Sequence, residues 1–202
     1  YRGELNRDIP TIASVLHQAG YFTAMTGKWH VTPQTKPDSP QDNWPLQRGF
    51  DEFFGTLPGH GSLWDPVGLM RNNEPVDPEE GFFYTDAIAD HAVQFIEQAN
   101  DRPFFLYVPF TAPHYPLHAR PETIDSYDDV YDIGWDEIRN RRYERLIERG
   151  FLPEGTLLAP RDPASIPWEE EAHQEWQAHR MQVFAAMITE MDVAIGRIIE
   201  EL

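Results

Sequence analysis

Residues 104–110 read Phe-Phe-Leu-Tyr-Val-Pro-Phe, an almost unbroken apolar run of high aromatic content. Its length and composition predict a strand buried on both faces of a parallel sheet. The segment before it is helical in pattern, with an apolar face of Ile88, Ala92, Phe95, Ile96 and Ala99, Thr85 or Asp86 as N-cap, and His91 at the surface. The same succession occurs earlier in the chain. Asp8-Ile9-Pro10 opens a helix whose apolar positions are Ile12, Val15, Leu16 and Ala19, with His17 on the polar face and Gly20 as the C′ residue. A strand over residues 21–25 follows. Helix, strand, loop, helix, strand is the rhythm of an α/β domain.

Both strands run into basic residues. The first leads to Thr26-Gly27-Lys28-Trp29-His30 and the second to Thr111-Ala112-Pro113-His114-Tyr115-Pro116-Leu117-His118. In open α/β sheets ligands bind at the carboxyl ends of strands. A lysine brings a fixed charge and three donors, and a histidine donates, accepts or carries a proton near neutrality. Most Lys-x-His pairs are solvated loop residues. Here, however, Lys28 and Lys36 are the only lysines in a chain whose other strong cations are arginines. The two prolines around His114 stiffen its loop. Together Lys28, His30 and His114 suit an anionic substrate.

The formal charge is 16 − 34 = −18. That field repels nucleic acid and anionic membranes, so an anionic small substrate needs a locally positive pocket. The absence of cysteine removes disulfides, zinc–cysteine sites and a cysteine nucleophile from these residues. No apolar run reaches the ~20 residues of a membrane span.

Residues 31–45 read as loop, and residues 49–55 as a short irregular segment. Residues 57–78, rich in glycine and proline, read as a long rim carrying His60, Trp64 and Asp65. Residues 121–137 are acidic but lack the spacing of a calcium loop. They lead into a helix with Trp135, Ile138, Tyr143, Leu146 and Ile147 on its apolar side, ended by Gly150, with Asp136 and Glu137 at its start and Arg145 and Arg149 near its end. After a proline-rich loop over residues 152–167, the pattern is helical from Trp168 onward, with a stripe including Trp176, Phe184, Met187, Ile188 and Ile195. His173 and His179 fall on different faces of that helix, which argues against a joint metal site.

In this order, the segments LHQAGYFTAMTGKWH, RGFDEFFG with GSLWDP, PFFLYVPFTAPHYPLH, DVYDIGWDEIRNRRYERLIERG and AAMITEMDVAIGRIIEEL resemble the type I sulfatases, arylsulfatase-like enzymes of the alkaline phosphatase superfamily. The resemblance covers nearly the whole chain. It implies a partial alkaline-phosphatase-like sandwich, a mostly parallel sheet flanked by helices, incomplete in this chain. It also implies that residues 1–202 are the central part of one sulfatase catalytic domain, truncated at both ends.

By resemblance, Lys28 is the lysine that touches both sulfate and a formylglycine nucleophile. His30 holds the formylglycine hydroxyl, and His114 contacts sulfate and is a proton donor to the leaving oxygen. His60, Trp64 and His118 are further candidates for substrate binding, or for structural roles at the rim. The family's Cys/Ser-x-Pro-x-Arg motif, its paired calcium-binding aspartates, its later Asp-Asn pair and its second sulfate-binding lysine have no match here. Calcium and formylglycine are therefore implied for the parent protein, with no metal ligand in these residues. The isolated chain is expected to be inactive and prone to aggregate, and the substrate to be a sulfated small molecule or glycan. The resemblance allows a periplasmic, secreted or cytoplasmic location and says nothing of oligomeric state. Two other readings stay open: a phosphoric or phosphonic ester hydrolase of the same superfamily, and a noncatalytic, degenerate sulfatase-like binding module.

Overall fold

A computed structural model of the chain describes residues 3–202. Contacts divide the described residues into two compact units, residues 3–118 with 187–202, and residues 119–186.

The first unit is built on a five-stranded sheet in the order β4-β3-β2-β1-β5. Its strands are β1 (Phe22–Lys28), β2 (Glu52–Thr56), β3 (Leu69–Arg71), β4 (Glu74–Pro75) and β5 (Phe104–Tyr107). Strands β2 and β5 run parallel to β1 on either side, and β3 and β4 add an antiparallel hairpin beyond β2. Successive strand residues face opposite sides, and the register pairs Met25 with Phe53 and Thr26 with Phe54. Met25 and Phe53 lie in a buried cluster with Ala13, Trp29, Trp44, Phe50 and Leu57. On the other face Thr26 Oγ1 donates to the Ile88 carbonyl of helix α2 (Tyr84–Ala99) at 3.1 Å. The result is a mixed α/β sheet flanked by helices.

Several elements depart from the sequence reading, each for a physical reason. Helix α1 (Ile12–Gln18) starts after Pro10, with Thr11 as N-cap accepting from the Ser14 N–H. Its contact face is Ala13 and Ser14, while Ile12 is 64% and Val15 52% exposed. The close crossing selects the small residues: a Cβ on Gly49 would lie 2.4 Å from the Ser14 nitrogen. Strand β1 runs through Gly27 to Lys28 instead of stopping at Met25, because β2 pairs with it as far as Lys28–Thr56. That strand occupies residues expected to be irregular, and the long rim contains the hairpin β3–β4, which turns at Asn72 with φ 59°. Asn72 Oδ1 accepts from the Phe53 N–H at 2.8 Å, tying the turn to the sheet.

Helix α2 begins at Tyr84, and Thr85 and Asp86 lie inside its first turn. Tyr84 is buried, and its hydroxyl accepts from the Thr56 N–H at 2.8 Å, which fixes the helix start against the end of β2. His91 is half-buried against Phe54, with ring centroids 3.6 Å apart, and burial pushes its pKa down to about 4. Strand β5 is an edge strand among the described residues, only partly covered, and Tyr107 is exposed. Pro109, which has no N–H, follows its end.

In the second unit, α3 (Pro121–Asp125) is a short helix within the acidic segment, and α4 (Gly134–Glu148) carries Asp136 and Glu137 in its first turn and Arg145 in its last, as its dipole favours. After a 3-10 turn at Trp168–Glu170, α5 (Gln174–Glu200) begins only at Gln174, and its residues from Met187 onward belong to the first unit. Its buried positions include Ala178, Gln182, Ala185, Ala186, Met187, Glu190 and Ala194, whereas Trp176, Phe184 and Ile188 of the expected stripe are exposed. Alanines, with Gln182, Met187 and Glu190, mark this helix's buried positions.

Candidate active site

The end of β1 is assembled from glycines. Gly27 has φ 124° and pairs with Gly55; a Cβ on Gly27 would lie 2.2 Å from the Pro109 carbonyl oxygen, and one on Gly55 would lie 1.8 Å from the Gly27 oxygen. Three segments thus meet at backbone contact. The ladder then continues past the strand: the N–H groups of Lys28, Trp29 and His30 donate to the carbonyls of Pro109, Thr56 and Leu57 at 2.9, 2.9 and 3.1 Å. Between the two basic residues, Trp29 turns inward, is buried against Phe50, and donates from Nε1 to the Asn43 carbonyl at 2.7 Å. Asn43 is in turn held by Glu4 Oε1 and the Leu5 carbonyl, each at 3.0 Å. Trp29 therefore acts as an anchor that leaves Lys28 partly and His30 openly accessible.

His30 takes a left-handed backbone, φ 52°, and its ring lies over Gly59, where an added Cβ would fall 2.3 Å from the imidazole. Burial lowers its pKa, and the charge of Lys28 and the imidazoles of His60 and His114 lower it further. His60 and His114 face each other with ring centroids 6.0 Å apart at 27°. The Lys28 ammonium is also pushed below its usual range by burial. The arrangement gathers one ammonium and three imidazoles. A histidine that burial and a neighbouring ammonium hold neutral gains from a bound anion, whose arrival favours its protonated form.

The remaining loop supports this cluster. The His114 N–H donates to the Thr111 carbonyl at 2.9 Å, and its Nδ1 lies 2.5 Å from the Tyr115 carbonyl, which fixes that nitrogen as the donor. His118 Nδ1 accepts from the Leu63 N–H at 3.3 Å, so it positions the loop that carries His60. Trp64 is 41% exposed and its ring packs on Phe83 at 4.6 Å. The sequence reading named Lys28, His30, His114 and His60, which the structure brings together, and it named Trp64 and His118, which brace the rim. It missed Gly59, Asn43 and Tyr84. Gly59 carries a signal in retrospect, since a glycine beside a histidine often marks a close approach. Nothing local marks Asn43 or Tyr84, because their partners are distant in sequence.

The matched family model is Sulfatase, over residues 1–202. The chain belongs to the sulfatase family. It is 34% identical over its whole length to an uncharacterized sulfatase of Schizosaccharomyces pombe, covering 39% of that protein. It is 32% identical, again over its whole length, to an arylsulfatase of Klebsiella aerogenes, covering 45% of it. The chain thus spans less than half the length of these curated relatives. Among solved structures, Ps i-CgsB matches 100% of the chain and 38% of its own with a TM-score of 0.65 at 23% identity. BT4656, crystallised with D-glucosamine-2-N,6-O-disulfate, matches 99% of the chain and 47% of its own with a TM-score of 0.62 at 22% identity. At these identities the structural likeness shows the shared fold, the alkaline-phosphatase-like sandwich of sulfatases.

A calcium ion takes six to eight oxygen ligands. Among the described residues no group of three or more histidines and carboxylates is suited to a metal ion. The lysine–histidine cluster offers nitrogen donors and positive charge, so it fits an oxyanion and not a hard cation.

Proposed function

We propose that residues 1–202 are the central part of a single sulfatase catalytic domain, and that the complete protein hydrolyses sulfate esters with Lys28, His30 and His114 acting on the sulfate. The observation that supports this reading is the convergence of Lys28, His30, His60 and His114 beyond the end of β1, where the His60 and His114 rings face each other 6.0 Å apart and where burial, then Lys28 and both imidazoles, disfavour protonation of His30. Sulfate-ester cleavage builds negative charge on the peripheral oxygens and on the departing alcohol oxygen, so fixed cations and a proton donor lower its barrier. The partly desolvated Lys28 ammonium neutralises a peripheral oxygen more effectively than a fully hydrated one. His30, kept neutral by its surroundings, offers a directed hydrogen bond. His114 passes a proton to the leaving oxygen as the sulfur–oxygen bond breaks and is left as neutral imidazole. His60, facing His114, lines the same anion pocket.

Family membership suggests a formylglycine nucleophile and calcium. The chain has no Cys/Ser-x-Pro-x-Arg motif to yield the first, and its described residues have no cluster suited to the second, so both are assigned to the rest of the protein. The isolated 202-residue chain accordingly has no turnover. The substrate is a sulfated small molecule or glycan, a class in keeping with the carbohydrates in the structures of two neighbours, k-i-k-neocarrahexaose and glucosamine disulfate.

The test is steady-state kinetics of the complete protein on an aryl sulfate. Lys28→Ala and His114→Ala are each expected to lower kcat/KM by about 10²–10³-fold, the scale of removing one oriented donor at a developing oxyanion. Trp64→Ala, at the rim, is expected to change it by less than about tenfold. Near-normal kcat/KM in either of the first two variants overturns the reading.

A further inference from the structure

The loop that brings His60 to the site is gripped at both ends by one residue. Residues 57–62 read Leu-Pro-Gly-His-Gly-Ser and form no helix or strand. Two glycines leave such a segment with little conformational preference of its own, so its shape is imposed from outside. Tyr84, the first residue of α2, meets it twice. Its hydroxyl accepts from the Thr56 N–H at 2.8 Å just before the loop. Its own N–H, which has no partner within the helix, donates to the Leu63 carbonyl at 2.7 Å just after the loop. We infer that Tyr84 is a positioning residue for the site at Lys28, His30 and His114: by closing the loop at both ends it sets where Gly59 backs the His30 ring and where His60 faces His114.

The links in this path are buried. Tyr84 is 1% exposed, and burial pushes its phenol above the usual range, so the hydroxyl keeps its proton. It donates that proton to Thr56 Oγ1 at 3.2 Å, and Thr56 Oγ1 in turn donates to the Pro58 carbonyl at 3.3 Å, inside the loop. The Thr56 carbonyl accepts from the Trp29 N–H, and the Leu57 carbonyl accepts from the His30 N–H. The residues that the phenol grips are therefore the ones paired with the segment bearing His30. At the far end, the Leu63 N–H donates to His118 Nδ1. Tyr84, Thr56 and His60 also line one narrow cleft with Thr111, whose carbonyl accepts from the His114 N–H. The start of α2, both strand ends and the loop meet around one phenol.

Removing the hydroxyl leaves the buried Thr56 N–H without its acceptor and the loop held at one end. The released end is the one joined to Trp29 and His30, unlike the end held by His118, so the loss falls on kcat. A misplacement of about 1 Å can cost about 10²-fold in rate. This inference rests on the roles proposed for Lys28, His30 and His114, and its test therefore includes a reading taken without substrate.

The experiment is steady-state kinetics of the complete protein on an aryl sulfate, with unfolding midpoints and histidine side-chain NMR of the substrate-free protein. Tyr84→Phe keeps the ring and deletes the hydroxyl. Its kcat is expected to fall about tenfold or more, and the His30 and His60 resonances to move while those of the exposed His17 and His173 stay in place. Phe95→Leu, a core change farther along α2, is expected to lower the unfolding midpoint and leave kcat and the His30 and His60 resonances unchanged. Gly59→Ala tests the loop without touching Tyr84. Its methyl falls 2.3 Å from the His30 imidazole and must push the ring aside, so the His30 resonance is expected to move and kcat to fall about tenfold, with the midpoint little changed. Thr56→Val removes the oxygen that takes the Tyr84 proton and leaves the backbone bond in place. It is expected to give the same histidine shifts at smaller size, and it carries the test if Tyr84→Phe does not fold. Normal kcat/KM in Lys28→Ala and His114→Ala would remove the reaction, yet the resonances would still report the positioning. Unmoved His30 and His60 resonances in Tyr84→Phe and Thr56→Val overturn the inference. So does a kcat loss in Tyr84→Phe no larger than that in Phe95→Leu, or a normal kcat in Gly59→Ala.

Discussion

The two strand ends that carry the basic residues are built in opposite ways. The end of β1 lies inside the sheet, with a parallel partner on either side, and its burial is complete up to Lys28. There, backbone contacts among Gly27, Gly55 and Pro109 and the buried indole of Trp29 fix where Lys28 and His30 emerge. The end of β5 lies at the sheet's edge, and His114 sits beyond it in an exposed loop held by short-range hydrogen bonds to Thr111 and Tyr115. One end takes its precision from the core. The other takes it from its own covalent chain and from neighbours such as His60. Substitutions at the first end should therefore damage the fold and the site together, and substitutions at the second should damage the site alone.

The largest expected effect tests that contrast at Gly27. In Gly27→Ala the new methyl falls 2.2 Å from the Pro109 carbonyl oxygen on a backbone at φ 124°, and no flexible side chain is there to give way. A loss of more than about 4 kcal/mol, or failure to fold, is expected in denaturant unfolding of the complete protein. A variant that unfolds at the normal midpoint would remove the basis for calling this end rigid. An intermediate effect is expected at the anchor. Trp29→Phe keeps most of the apolar bulk and leaves the Asn43 carbonyl without its 2.7 Å donor, so a stability loss of about 1–3 kcal/mol is expected, together with reduced kcat/KM. Unchanged kinetics would show that His30 does not depend on the indole.

The smallest effect sharpens the other side of the comparison. His118→Ala removes the acceptor of the Leu63 N–H near the rim of the site. About 1 kcal/mol or less of stability is expected to be lost. The kinetic effect is expected in KM more than in kcat, since only the positioning of the His60 loop is relaxed. A large fall in kcat would instead place His118 in the chemistry.

The legible part of this molecule is the part governed by local pattern. The glycine before Lys28, the prolines around His114 and the apolar runs ahead of both were enough to read two strand ends bearing basic residues. Helix α4 was likewise readable, because its charged termini and Gly150 act within a turn or two. What escaped the reading depends on neighbours distant in the chain. Residues 52–56 have no clear alternation and become a strand because β1 offers a parallel partner. Tyr84, rather than Thr85 or Asp86, begins α2 because Thr56 waits for its hydroxyl. The contact face of α1 shifted for the same reason, as Ser14 meets Gly49 at backbone distance. His91, expected at the surface, is covered by Phe54, a residue whose own strand had not been recognised.

The central claim, that one ammonium and two imidazoles from two strand ends share a single oxyanion, is tested most directly by an NMR titration of the histidine side chains with and without inorganic sulfate. In the free protein His30 is expected to titrate below the ordinary histidine value, because burial and Lys28 oppose its protonation. Sulfate should move the resonances of His30 and His114 together, at one dissociation constant, and raise the His30 pKa; Lys28→Ala should weaken that response. Resonances that respond independently, or a His30 titration indifferent to both sulfate and Lys28, would contradict it.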